Sequence, residues 1–201
     1  MSKQDRIFRP SSRLLSGLIA AVVVFAPVAV VAAADTPPIG PLPERAAPKD
    51  SLVAMGQRLF FDARISGDGG VSCATCHDPS QGFGKSADLE GAVQRLSVAY
   101  PGASHFRNAP TLINTVYKAD FANVGWSWDG HMGASLNDVI RNEITETAIM
   151  NMDMRIMHER MKQDPAYVAM CEENFGGECS SGKARKALDA LVKITNLPVP
   201  E

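Results

Sequence analysis

The sequence predicts a mainly α fold with long irregular loops and no significant sheet. Beyond residue 50 apolar residues recur at helical spacing in several segments, and no segment alternates convincingly as a half-buried strand would. Between Val71 and Met132 there is little period of either kind, but many Gly, Ser, Asn and Pro residues. At 201 residues, 45% hydrophobic and 21% charged, the chain has the size and composition of one ordinary globular domain plus a leader.

The leader comes first. Lys3, Arg6, Arg9 and Arg13 form a basic stretch, and Leu14 to Val31 is an uncharged apolar run broken only by Ser16, Gly17 and Pro27. Ala32-Ala33-Ala34 then offers a small-residue cleavage site, so residues 1–34 read as a secretory signal cut before Asp35. The alternative is an uncleaved membrane anchor, because the run of 18 residues approaches the length needed to span a bilayer. Losing residues 1–34 removes four of the 20 basic and one of the 22 acidic residues, which leaves a net charge of −5. That balance argues against a nucleic-acid partner and suits a basic redox partner.

Residues 35–49 are rich in proline and have no apolar period, which predicts an extended lead-in to a single domain over 50–201. Leu52, Met55, Leu59 and Phe60 predict a first amphipathic helix, capped at Asp50 or Ser51 and ended by Asp62. Gly67-Asp68-Gly69-Gly70 is a turn. Ser135 with Asp138 marks the start of a helix whose Leu136, Val139, Ile140 and Ile144 share a face. Met157, His158 and Met161 belong to a further helix as packing or surface residues. Asp164-Pro165 opens the next, with Tyr167, Val168, Cys171 and Phe175 inward and Gly176-Gly177 as its stop. Ala184, Ala187, Leu188, Leu191 and Val192 make the last.

The irregular middle contains Cys73-Ala74-Thr75-Cys76-His77. Two thiols at this spacing can add to the two vinyl groups of a haem, and the adjacent histidine then falls beneath the iron as proximal ligand. Zinc would want a second ligand pair, and thiol exchange would want a βαβ setting; neither is present in the sequence. One covalent haem c is therefore expected, and a large apolar ring gives the irregular chain something to pack around. Cys171 and Cys179, with seven residues between them, suit a disulfide in an oxidising compartment; the alternative for Cys171 is a small buried apolar residue. The sixth iron position has candidates in His105, His131, Met132, Met150, Met152 and Met154, and spacing alone does not choose among them.

Four segments together resemble the N-terminal, peroxidatic haem domain of the bacterial dihaem cytochrome c peroxidase and MauG family. They are Gln57 to Arg64, Ser72 to His77, Arg107-Asn108-Ala109-Pro110-Thr111 and Trp128-Asp129-Gly130, within a likeness covering about residues 50–175. The resemblance implies a c-type cytochrome domain with haem-wrapping loops, His77 as proximal ligand and His105 as a displaceable distal histidine. It implies that Asn108 helps to bind calcium and that Trp128 conducts electrons toward the haem. The chain departs from the family in having no second C-x-x-C-H, and in carrying His131 where the family has arginine after Trp-Asp-Gly. If Met150 is the family's methionine, Ile149 occupies the place of the catalytic glutamate, and Glu146, one helical turn away, is the best substitute.

Three functions follow. In the first, a periplasmic enzyme of a Gram-negative-type cell reduces hydrogen peroxide: His105 leaves the iron, Glu146 shuttles the proton, and electrons arrive through Trp128 from a cytochrome, a cupredoxin or a second-haem subunit. The second is a monohaem electron carrier with a permanent sixth ligand. The third is a shortened relative that works with a separately encoded second-haem partner.

Overall fold

The computed structural model describes residues 40–84, 109–120, 125–133 and 135–194. Residues 1–34, read from the sequence as a signal, and His105 and Asn108 lie outside the described residues. The chain divides into two units, Met1–Pro43 and Glu44–Glu201. Of the first, only 40–43 are described, and they are exposed and irregular.

The second unit is helical. Its described helices are α1 (Asp50–Phe61), α2 (Cys73–Cys76), α3 (Leu136–Thr145), α4 (Met154–Lys162), α5 (Pro165–Phe175) and α6 (Ser181–Val192), with 3₁₀ turns at Ala63–Ile65, Pro79–Gln81 and Thr115–Asp120. Among the described residues the only β pairing is an isolated bridge, Asp78 to Gly84. None of the described helices is long and apolar enough to cross a membrane.

Residues Met55, Gly56, Leu59 and Phe60 form the buried face of α1, and Ala184, Ala187, Leu188 and Leu191 that of α6. The two helices approach so closely at Gly56 that a β-carbon there would overlap the carbonyl oxygen of Ala187. Small residues at the crossing let the flanking Leu59 and Leu191 interlock, as ridges into grooves require. The start of α1 differs from expectation: Lys49 is the cap residue and provides no side-chain cap. Asp50 instead lies in the first turn, where its charge meets the helix dipole. Ser51 donates to Asn174 Oδ1 at 2.7 Å, which ties α1 to α5 rather than capping it.

The later helices begin where their side chains dictate. Ser135 Oγ accepts from Asp138 N at 3.2 Å and opens α3. Asp153 accepts from Arg155 N at 2.7 Å and opens α4, whose Met157 and Met161 enter the core. Asp164 accepts from Ala166 N at 2.9 Å with Pro165 in the first turn of α5, and Gly176, at φ 62°, ends that helix. Tyr167 and Cys171, four residues apart, share its inward face. Val168 is 43% exposed, contrary to expectation, because one further residue turns it about 100° away from that face. A disulfide joins Cys171 to Cys179 (S–S 2.08 Å), with both residues buried.

A polar network links α1, the Ala63–Ile65 turn and α5. Tyr167 donates to Asp62 Oδ2 at 2.8 Å, Arg64 forks onto Asp62 and reaches Asp164 at 2.8 Å, and Arg58 reaches Asp164 at 3.1 Å. Burial alone would raise the Asp62 carboxyl, but hydrogen bonds from Arg64 and Tyr167 more than offset it and hold it below its ordinary value. The Arg64 hydrogen bond, with Arg58 beside it, lowers Asp164 to about 2.

Two outcomes follow from this packing. Gly56→Ala forces α1 away from Ala187 and lowers stability by about 1–3 kcal/mol, measured by denaturant unfolding; wild-type stability would show that the helices separate freely. Because Asp164 is held at about 2 against an ordinary 3.8, its contribution is complete above pH 3.8 and is lost as pH falls toward 2. Thermal melting should therefore drop across that window, and Asp164→Asn should flatten the drop while lowering the plateau above it.

Candidate functional site

The candidate site is built on α2, which is a single turn. Ser72 N donates to Thr75 Oγ1 at 3.0 Å and Thr75 N to Ser72 O at 3.1 Å, closing the turn from both sides. Cys73 and Cys76 are three residues apart in it and so fall on one face. His77 follows at once, and its N–H bonds to Cys73 O at 2.9 Å.

The chain then doubles back to hold the imidazole. Asp78 accepts from Ser80 N at 2.8 Å and starts the Pro79–Gln81 turn, and Phe83 N returns to Asp78 O at 2.8 Å. Phe83 takes φ 55°, unusual for a bulky residue, and its buried ring meets Phe60 edge to face at 5.9 Å. That conformation aims the Phe83 carbonyl at His77 Nδ1, 3.0 Å away. Thr111 braces the turn from the next segment by donating to Gly82 O at 2.5 Å. With Nδ1 donating to a carbonyl, Nε2 is the nitrogen left for a metal. Burial lowers the His77 pKa, partly offset by the carbonyls of Phe83 and Pro110, so the ring favours the neutral form that a ligand needs.

The thiols are equally telling. Neither Cys73 nor Cys76 is in a disulfide. Burial pushes the Cys73 thiol up to about 12, with Cys76 and the Glu143 carboxylate adding to the rise. A redox C-x-x-C needs the opposite shift. Among the described residues no group of three or more His, Cys, Asp and Glu converges on a metal. Two thiols outside any disulfide on one face of a helical turn, followed by a neutral histidine with a fixed tautomer, fit a covalent haem.

The remaining candidates are dispersed. The 125–133 loop is tight: a β-carbon on Gly125 would overlap Gly130 O, Trp126 N bonds to Gly133 O at 2.9 Å, and Ser127 and Gly130 both take φ 77°. Trp126 is buried in it, whereas Trp128 is 59% exposed. Lys118 Nζ anchors the loop by donating to Ser127 O at 2.6 Å. His131 pairs with Asp129 at the exposed rim. Glu146 is the exposed C-cap of α3, Glu143 is half-buried and within electrostatic reach of Cys73, and Ile149 is half-buried. Met150 and Met152, each 2% exposed, are already enclosed by the protein core; Met132 and Met154 are only half-buried. The structure thus brings Cys73, Cys76 and His77 together, with Glu143 near them, and sets Trp128 and Glu146 at the surface. Sequence reasoning missed the Phe83 carbonyl and the nearness of Glu143. The Asp78-Pro79 pair and Gly82 and Gly84 were the available signal for a tight return.

Comparison with known proteins places the chain in a family. A family model described as di-haem cytochrome c peroxidase matches residues 50–197. The chain is 44% identical over 165 residues to the cytochrome-c peroxidase IdrP2 of Denitromonas iodatirespirans, covering 81% of this chain and 42% of that protein. It is 40% identical over 139 residues to the methylamine utilization protein MauG of Methylorubrum extorquens, covering 69% and 35%. The crystal structure of the diheme peroxidase BthA from Burkholderia thailandensis superposes with a TM-score of 0.56 at 25% identity, covering 72% of this chain and 38% of that one. The chain spans about two fifths of the length of these relatives.

The role of Phe83 can be measured. Phe83→Ala leaves a cavity beside Phe60 that costs about 3–5 kcal/mol and frees the carbonyl that orients His77, so the EPR signal of the ferric protein should broaden. Phe83→Leu should retain a narrow signal. A narrow signal in Phe83→Ala would show that the turn alone holds the carbonyl.

Proposed function

The chain belongs to the di-haem cytochrome c peroxidase family, and from that membership we propose that it is a peroxidatic, single-haem module that reduces hydrogen peroxide in the periplasm. The observation that carries the reading is the arrangement at Cys73, Cys76 and His77, whose Nδ1 is held at 3.0 Å from the Phe83 carbonyl. Cys73 and Cys76 would hold haem c through thioethers, and His77 Nε2 would be the proximal ligand. Bound there, haem supplies a redox-active iron at which the O–O bond of a peroxide can be cleaved.

The chain's own residues supply the rest. The bond from Nδ1 to Phe83 O makes the His77 imidazole a more basic ligand and fixes its plane. His105 is the proposed displaceable distal histidine, and Asn108 the proposed calcium ligand. Glu146 is the proposed acid–base group: it would take a proton from one peroxide oxygen and return it to the other as the O–O bond breaks. Two electrons from the donor with two protons from solvent would complete reduction to two waters. Trp128, exposed at the tip of the 125–133 loop, is placed to receive electrons from a donor at the surface. A cytochrome, a cupredoxin or a second-haem subunit would serve as donor, and the acidic net charge without residues 1–34 favours a basic docking face.

Ile149 at the position the family gives to glutamate, together with the exposure of Glu146, favours a second reading. In it the module is an electron carrier with a permanent sixth ligand, or works only beside a second-haem partner. Visible spectra of both oxidation states, with and without peroxide, separate the two. The peroxidase reading expects peroxide to perturb the spectrum, turnover with a reduced cytochrome, and a loss of about 100-fold or more in Glu146→Gln. A low-spin spectrum in both states that ignores cyanide and carbon monoxide, with no turnover, would establish the carrier instead.

A further inference from the structure

The guanidinium of Arg160, on α4, gathers three backbone carbonyls. Its Nη1 donates to Arg64 O at 2.7 Å and Ser66 O at 2.6 Å, and its Nη2 to Gly67 O at 3.2 Å. Hydrogen bonds from a cation are roughly twice as strong as neutral ones, and the planar fork of arginine suits several acceptors at once. The turn it gathers leads directly into the attachment motif. Ser66, fully buried, donates to Ala63 O at 2.8 Å and accepts from Val71 N at 3.2 Å, and Ser72 then closes α2 with Thr75.

The same turn is locked to the loop that follows α3. Gly67 N donates to Met150 O at 2.8 Å, and a β-carbon on Gly67 would overlap the carbonyl of Asn151, a residue held at φ 47°. That loop is closed on itself by Ile149 N and Asn151 N, which bond to Glu146 O at 2.9 and 3.0 Å. Asp153 then caps α4, the helix that carries Arg160.

From this geometry we propose that Arg160 is a positioning residue, holding the turn that enters the Cys73–His77 helix in register with the loop carrying Glu146, Ile149 and Met150. The two segments then behave as one body around the haem site. This inference rests on the reading of both segments as parts of that site.

The test uses the haem-loaded protein. Arg160→Ala removes the fork and Arg160→Lys keeps the charge with a single donor group, while Leu188→Ala, in the core face of α6, controls for lost stability alone. The ferric/ferrous equilibrium is titrated spectroelectrochemically and the ferric spin state read from the visible spectrum, at a temperature where every variant is folded. Arg160→Ala is expected to shift the redox equilibrium by about threefold or more, equivalent to ~28 mV for a one-electron couple. Arg160→Lys should shift it less, and Leu188→Ala should match wild type. An Arg160→Ala protein that melts earlier yet keeps the wild-type spectrum and equilibrium overturns the assignment, as does an equal shift in Leu188→Ala. If Arg160→Ala yields no haem-loaded protein, the lysine variant decides, and wild-type behaviour there overturns it. None of these readouts needs peroxide, so a wild type without turnover would sink the peroxidase reading and leave this one intact.

Discussion

The hydrogen bond between His77 Nδ1 and the Phe83 carbonyl is the constraint on which the site depends. It assigns the tautomer, and it requires the chain to reverse within six residues, which the Asp78–Gly84 turn does with a left-handed phenylalanine. The strain of that conformation is offset by burial of the Phe83 ring against Phe60 on α1. A core contact therefore sets the direction of a backbone dipole at the site. The Gly56 crossing matters for the same reason, because it fixes where α1, and with it Phe60, can sit.

Much of this was legible in the sequence. The Cys73–His77 turn is readable because residues three apart in a helical turn share a face. The helices are readable because Ser135, Asp164 and Gly176 mark their ends with local hydrogen-bond chemistry and backbone conformation. What escaped the reading has no local signature. A carbonyl acceptor such as that of Phe83 looks like every other carbonyl in a sequence. Ser51 and Asp50 suit a cap by residue type, yet Asn174, over a hundred residues away, claims the Ser51 hydroxyl. Val168 is apolar but lies off the buried stripe. Glu143 and Glu146 cannot be ranked without knowing which side of α3 faces the attachment turn.

The dispersal of the functional candidates has its own logic. Cys73, Cys76 and His77 are held rigidly, in and just after a short helix braced from both ends. Trp128, by contrast, is presented on a loop kept in shape by Gly125, Gly130 and Lys118 rather than by burial. Trp126, two residues before it, is buried, whereas Trp128 is exposed.

The Cys171–Cys179 disulfide has a consequence for biogenesis. The chain carries four cysteines, which can pair in three ways: two of these join Cys73 and Cys76 to Cys171 and Cys179, and the third closes each neighbouring couple on itself. Each correct couple is close in the chain, whereas every cross-pairing must close a loop of more than ninety residues, and loop closure grows costlier with length. Once formed, the α5 bridge is sealed in the core, out of reach of exchange with Cys73 or Cys76. The spacing of the cysteines thus favours Cys171–Cys179 over any bond between the two couples before tertiary structure exists.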